Sequence, residues 1–441
     1  MRSCFAAVLA ALVLLTPARI MAQQTKPSDA VRGPLTLLDA VQLGRQRAVS
    51  ATLAQLSLRA ARERVGERRA DLLPNIGGIA TWTRQTLNLD EFGIPIATGV
   101  TDPFSLYRFQ LHGSQTLVDA SAIERLRAAS DSVAAAGLDA QAAGSLAGAA
   151  AGLSYLRVLS ARETVRARQA DSAVAADLLR QVQQMAEAGV VPAIDRTRNE
   201  VNFAAVQTQL AVARNQYDRA RLDLARLLDL PLDRALTLAD SLGMASADLP
   251  TDPDSAAAYA VAHRPEVAAE QRRTQVARMN SQAIWNENLP SLELNGMAQS
   301  SGQRTDGLAG TWSVQLGVSI PIFDGLRRQK RHAAANIAVA AQELREHDIT
   351  TQVEAEARQA VLDLESARQQ VTLAEHRLSL AQQELDQAQE RFRAGVAGSV
   401  ETTTAQSGLI SARDALIQAR VNYGTARVSA YRALGMLDQL H

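Results

Sequence analysis

Hydrophobic and polar positions along this chain follow two periods, and the two occupy different stretches. From Thr311 to Gly325 the sequence TWSVQLGVSIPIFDG alternates. Trp312, Val314, Leu316, Val318, Ile320 and Ile322 fall on one side, and Ser313, Gln315, Gly317 and Ser319 on the other. A period of two predicts a strand with one apolar and one polar face. Tyr107, Phe109, Leu111 and Leu117 alternate in the same way with Arg108, Gln110, His112 and Ser114. Elsewhere the apolar residues step by alternate threes and fours. Phe203, Val206, Leu210, Ala213, Tyr217, Ala220, Leu224 and Leu227 form one such series. Leu409, Ala412, Leu416, Ala419, Tyr423, Ala426, Ala430 and Ala433 form another, each 206 residues after its counterpart. Ala374, Leu378, Ala381, Leu385, Ala388 and Phe392 continue it on the preceding helix. A sustained period of 3.5 residues drives helices to coil around one another with a left-handed twist.

The matched series belong to a doubled chain. LLPNIGGIATW from Leu72 is answered by NLPSLELNGMA from Asn288, and SQTLVDAS from Ser114 by SIPIFDGL from Ser319. AEAGVVP from Ala186 is answered by FRAGVAG from Phe392, and QRAVSATLAQ by HRPEVAAEQ, which pairs Arg47 with Arg264. The repeats span 35–228 and 254–434, joined by a polar, Pro-containing linker at 229–253 and followed by a tail at 435–441. Each is predicted to run helix, strand, loop, strand, very long helix, tight Gly turn, long helix. Strands are expected near 73–88, 105–118, 290–301 and 311–323. Between Asp119 and Gly189 lie 69 residues, and between Asp324 and Gly395 lie 70, with no proline in either stretch. Continuous helices of that length extend about 100 Å. Pro192, just past the first turn, suits the first turn of a new helix.

Four short strands leave the partner of their apolar face open. One reading is a small soluble sheet packed on the helices; the other is an outer-membrane barrel, lipid outside and water within. Four strands cannot close a membrane barrel, which begins at about 8, and open edges in lipid leave backbone groups unsatisfied. Two copies would supply 8 strands and three would supply 12. Only the wider barrel is expected to leave a through-channel.

Composition narrows the class. Aromatics are only 4% of the 441 residues, so a thick globular core is not expected. Arg2, the apolar run from Cys4 to Leu15 and ARIMA before Gln23 have the order of a secretory signal peptide over 1–22, followed by a segment at 23–34. Cys4 lies inside that signal, leaving the exported chain without cysteine. Without Arg2 and Arg19, 44 basic residues face 46 acidic ones, and the basic segments of a nucleic-acid binder are missing.

Catalytic chemistry has no candidate. The six histidines (112, 263, 332, 347, 376 and 441) form no HExxH, and there is no GxSxG, P-loop or GxGxxG. No cofactor or metal is expected. Glu354 and Glu356, two apart on a helix, face different ways. GSLAGAAAG from Gly144 to Gly152 repeats glycine every four residues, for a close helix pair in a membrane or in a tunnel wall. At the far ends of the long helices, Gly189 and Gly395 permit the left-handed conformation that ends a helix abruptly. Asp195 and Glu401 follow, each six residues after its glycine. They serve either as acids at helix N-termini or as a ring of carboxylates when copies assemble.

The exported chain as a whole resembles the TolC-like outer-membrane efflux proteins. The resemblance rests on the doubled organisation, HRPE at 263–266, LPSLELNG at 289–296, SIPIFDG at 319–325, FRAGVAGSVE at 392–401 and ARVNYGTARVSAYRALGML at 419–437. It implies a mainly α fold with membrane β: a homotrimeric α-helical barrel in the periplasm, continued by a 12-stranded β-barrel in outer-membrane lipid. It also implies a passive exit duct for efflux or type I secretion, coupled through a periplasmic adaptor to an inner-membrane pump. By the same resemblance Gly189, Val190, Gly395 and Val396 dock the adaptor, and Asp195 and Glu401 line or brace a periplasmic aperture. Here the chain departs from the family. Phe392 stands for a tyrosine of the aperture, Thr404 for a second acid, and Ala397 for an arginine. The rival reading is a periplasmic coiled-coil scaffold without a pore. Two hairpins, each preceded by an amphipathic strand pair, set the chain apart from the single hairpin usual in an adaptor.

Overall fold

The computed structural model describes residues 33–89, 99–233, 236–243 and 249–440. The signal segment, most of the loop 89–104 and part of the linker 229–253 lie outside the described residues. In chain order the elements are α1 (Leu37–Arg47), α2 (Val49–Ala70), β1 (Asn75–Gln85), β2 (Phe104–Val118), α3 (Ala120–Glu187) and α4 (Ala193–Leu227). Then follow α5 (Pro253–His263), α6 (Pro265–Asn286), β3 (Ser291–Gly302), β4 (Ala309–Ser319), α7 (Arg327–Arg393), α8 (Ser399–Ala433) and a 3-10 turn at Leu437–Gln439. Each repeat therefore opens with two helices where the pattern predicts one. In the second, Pro265 pushes Arg264 out of the helical region, to φ −74 and ψ 128. In the first, Ala48 breaks the chain at the equivalent place, at φ −55 and ψ 139.

The long helices are continuous. α3 has 68 residues and α7 has 67, each about 100 Å long. Asp119 starts α3 by accepting from the backbone amides of Ser121 at 2.8 Å and Ala122 at 3.2 Å. Both helices end in the same turn. Gly189 (φ +73) and Gly395 (φ +67) take the left-handed conformation. The Val190 amide donates to the Met185 carbonyl at 2.8 Å, and the Val396 amide to that of Arg391 at 3.0 Å. That is the six-to-one bond of a Schellman turn.

The strands form one antiparallel sheet in the order β1-β2-β3-β4. β4 stops at Ser319, so Ile320 and Ile322 lie beyond the strand that their alternation predicts. Pro321 has no N–H to extend the ladder, and the partner strand β3 begins at Ser291 opposite Ser319. The helices repeat the order of the sheet. α2 leads into β1 and β2 into α3; α6 leads into β3 and β4 into α7. Near the sheet the wall is α2-α3-α6-α7, and towards the tips it is α4-α3-α8-α7. It is four helices wide at both levels.

The heptad seams carry the packing. On α8 Leu409, Ala412, Leu416, Ala419, Tyr423, Ala430 and Ala433 are buried, and they face buried Ala374, Ala381, Leu385 and Ala388 of α7. On α4 only Val206, Ala213 and Leu224 of the matching series are buried, because α4 lies at an edge of the wall. Midway along, α1 rests on the glycine-rich stretch of α3. A β-carbon on Gly148 would lie 3.0 Å from the Val41 carbonyl oxygen, so the small residues permit a close helix pair. Of the two readings of GSLAGAAAG, packing within the helical wall is the one that holds. Tyr155 joins the first strand-like pairing of the linker to this core. Its hydroxyl donates to the Leu35 carbonyl at 2.8 Å and lies 2.9 Å from an Asp240 carboxylate oxygen.

Candidate functional site: a two-faced sheet and the hairpin tips

The register aligns the strands face by face. Trp82 pairs with Tyr107, Ala80 with Phe109 and Gly78 with Leu111. Leu111 pairs in turn with Ala298, and Ala298 with Trp312. Leu292, Leu294 and Gly296 pair with Val318, Leu316 and Val314. These residues make one continuous apolar face across all four strands. The opposite face carries Thr81, Arg108, Gln110, His112, Ser114, Asn295, Glu293, Ser313 and Gln315. Ile79, Leu106 and Met297 interrupt it, so the separation is strong without being complete. Among the described residues nothing covers the apolar face: Trp312 is 79% exposed and Val314 66%. Both sheet edges, β1 and β4, are unpaired among the described residues. A soluble sheet packed on its helices would bury one face, and this one does not.

The tips collect the other predicted residues. Val190 and Val396 stand exposed beside their glycines, at 63% and 70%. Asp195 and Glu401 lie in the first turns of α4 and α8, where an acid complements the helix dipole. Their partners differ. Asp195 is largely enclosed and accepts a hydrogen bond from Ser399 Oγ at 2.9 Å, which ties α4 to α8. Glu401 is half exposed and pairs with Arg391 at 2.9 Å. Thr404 is exposed and donates to the Val400 carbonyl at 2.8 Å. Phe392 is buried against Leu178 and Val182 of α3, as the last apolar position of the α7 heptad.

Between Asp195 and the first apolar seam residues lies a polar seam that the pattern of apolar residues does not reveal. Asn202 Nδ2 donates to Gln406 Oε1 at 3.1 Å, two helical turns above the Asp195–Ser399 bond. Asn199, Thr402 and Gln406 are buried around these rungs. Asn199 Oδ1, Thr402 Oγ1 and Gln406 Nε2 have no hydrogen-bond partner among the described residues. Buried polar groups left unpaired cost about 1–3 kcal/mol each. Higher up, Arg168 of α3 sits between Asp171, at 2.9 Å, and Asp414 of α8, and Arg413 also bonds Asp171. Asp171 is 1% exposed, so this cluster pins the two hairpins together from within.

A second ionic cluster explains HRPE. Arg264 is buried and bonds Glu266 at 2.9 Å and Glu356 of α7 at 2.6 Å. Burial works against both carboxylates. The Arg264 hydrogen bonds outweigh it and hold Glu266 and Glu356 below the usual carboxylate range. Glu354 instead pairs with Arg358, so the two neighbouring acids do face different ways. Among the described residues no group of His, Asp and Glu side chains is placed to hold a metal ion.

The sequence profile described as "Outer membrane efflux protein" matches residues 41–229 and 258–436. A pyoverdine export outer membrane protein of Pseudomonas putida is 26% identical over 291 residues, covering 64% of this chain and 60% of that one. The alkaline protease secretion protein AprF of Pseudomonas aeruginosa is 26% identical over 298 residues, covering 65% and 60%. The alignments thus span about three fifths of these relatives' length. The crystal structure of the CmeC outer membrane channel of Campylobacter jejuni superposes with a TM-score of 0.80 at 18% identity, covering 91% of this chain and 86% of that one. The outer membrane protein VceC of Vibrio cholerae gives 0.77 at 16% identity, covering 90% and 96%. With its paired repeats, its two-faced sheet and its long helices, the chain belongs to the outer membrane efflux protein family.

Proposed function

We propose that the chain is the outer-membrane exit duct of a tripartite efflux or type I secretion system, working as a passive homotrimer. The observation that carries this is the sheet with two unlike faces and two unpaired edges. Three copies joined edge to edge give 12 strands, place the apolar face in lipid and leave a wet lumen. The helical wall supports the same closure, since apolar side chains stand exposed on its edges. Val49, Leu53 and Leu56 do so on α2, and Ile337, Leu344 and Leu373 on α7. A neighbouring copy would cover them as the heptad seams are covered within the chain. An inner-membrane pump supplies energy and selects the cargo, and a periplasmic adaptor docks at Gly189, Val190, Gly395 and Val396. Asp195, Glu401 and Thr404 lie at the periplasmic entrance.

Membrane fractionation tests this reading. Heat-resistant trimers are expected in the outer-membrane fraction. A cysteine introduced by Asp306→Cys, in the loop joining β3 and β4, is expected to react with an impermeant reagent in intact cells. Recovery as a soluble periplasmic protein would favour the scaffold reading, and labelling only after outer-membrane rupture would reverse the topology.

A further inference from the structure

A cavity of about 590 Å³ opens where the helical wall meets the sheet, lined by the membrane-proximal parts of α2, α3, α6 and α7. That volume lies within the range of small-molecule sites, ~300–1,000 Å³. Four arginines line it: Arg64 and Arg68 from α2, Arg125 from α3 and Arg331 from α7. Arg125 and Arg331 are already engaged by Glu287, the latter at 2.6 and 3.1 Å. Arg64 has no ion pair among the described residues, and Arg68 has only a 3.5 Å contact with half-exposed Asp71. Set against Glu67, Glu287 and Asp71, the four arginines leave a net positive charge. Arg64 and Arg68, four residues apart on one helix, present their free donors side by side. A guanidinium offers a planar fork that matches phosphate or carboxylate oxygens.

The four helices of the wall share the cavity, so it lies on one face of that wall. On α6 the lining residues Asn280, Ala283 and Ile284, with Glu287 behind them, point away from Trp285. Trp285 is 54% exposed and its ring lies 5.4 Å from that of His332. An exposed tryptophan suits a lipid–water boundary, and we assign the opposite face, which holds the cavity, to the lumen.

We propose that this cavity is an anion-binding station on the channel's inner wall, taking phosphate- or carboxylate-bearing solutes as they pass from tunnel to barrel. The inference rests on the channel reading and adds a chemical preference to it. Three such cavities per trimer would form a basic belt. Charged rings of this kind set selectivity in pores.

The test is current recording in planar bilayers, with inorganic pyrophosphate added to either chamber. Wild-type current is expected to fall with pyrophosphate concentration. Arg64→Gln with Arg68→Gln should raise the half-blocking concentration by about tenfold, as expected for loss of charge-assisted hydrogen bonds. The Glu287 bridges remain, so heat-resistant trimers and the unblocked conductance should persist. A conducting wild type indifferent to pyrophosphate would overturn the station, whatever the variant does; a wild type that never conducts would count against the duct instead. Native mass spectra with phosphatidylglycerol provide the second arm. Equal lipid retention by wild type and variant is expected. Loss of lipid with unchanged block would place the cavity on the membrane side and overturn the proposal.

Discussion

Arg264 shows how a single residue fixes the middle of the molecule. It stands where Pro265 breaks the chain between α5 and α6, and its guanidinium reaches across to Glu356 on α7, which Arg432 of α8 also approaches at 3.4 Å. Arg264 therefore ties the helix break to α7, and Glu356 carries the link on to α8. Arg264→Gln leaves Glu266 and Glu356 without their main partner, and removing one member of a buried ion pair costs about 3–5 kcal/mol. The pH dependence has a definite sign. Both carboxylates titrate below their ordinary range when folded, so their contribution is present above the unfolded pKa of about 4.3 and is lost as pH falls through the folded values. Thermal melts of wild-type trimer are expected to drop on acidification below pH ~4. The variant should start lower at neutral pH and lose less on acidification; parallel curves would show that other groups carry the acid sensitivity. HRPE was legible as a motif from the repeat alone. Its role was not, because Glu356 lies 92 residues away on a helix whose facing only the fold determines.

At the scale of elements, period and place decide what each segment meets. The strand alternation was legible because β3 and β4 keep one register along their length, so Trp312, Val314, Leu316 and Val318 meet Ala298, Gly296, Leu294 and Leu292. A one-residue slip would turn all of them inward. Replacing Val318 by arginine puts a charge on the lipid face, at a cost of about 2–4 kcal/mol near the bilayer midplane. Ser319→Arg, on the other face at the end of the strand, should assemble far better. Outer-membrane trimer yield after pulse expression checks this, and equal yields from the two variants would break the link between alternation and lipid. The heptads were equally legible and stopped short for a physical reason. Going back from Phe203 and Leu409, the same spacing continues through Asn199 and through Ala405 to Thr402. Polar residues at seam positions do not register as part of an apolar series. For the same reason Phe392 was readable in two ways, as a seam residue and as an aperture residue. Within the chain it packs on Leu178 and Val182, as a seam residue does.

For the whole molecule the contrast between its two ends matters most. Near the sheet, polar contacts between helices are paired, as in Ser281–Asn336 and Thr274–Glu346 at 2.6 Å each; at the tips, α4 and α8 meet through Asp195–Ser399 and Asn202–Gln406. That seam is polar, and three of its buried atoms lack partners. An interface of this kind gains when water enters and its groups become solvated, so it is a boundary at which the two hairpins can part. In a trimer, parting of this seam would widen the periplasmic entrance while the Arg168–Asp171–Asp414 cluster, higher up, holds the hairpins together. The substitution pair Asn199→Leu and Thr402→Val replaces unsatisfied polar groups with apolar ones of similar size. Such exchanges are neutral or stabilising when both sides change together. The closed form should then gain about 1–3 kcal/mol, and the open fraction of single pores should fall about tenfold or more. Asp195→Ala should act oppositely, removing a rung and raising the open fraction. Glu401→Gln lies outside the seam and should alter ion selectivity with little change in opening. Single-channel recordings of the purified variants separate the three. If the Leu–Val pair opened as often as wild type, with trimers equally heat-resistant, the moving boundary would have to lie elsewhere, and the exposed edges of α4 and α7 between copies would be the next place to cross-link.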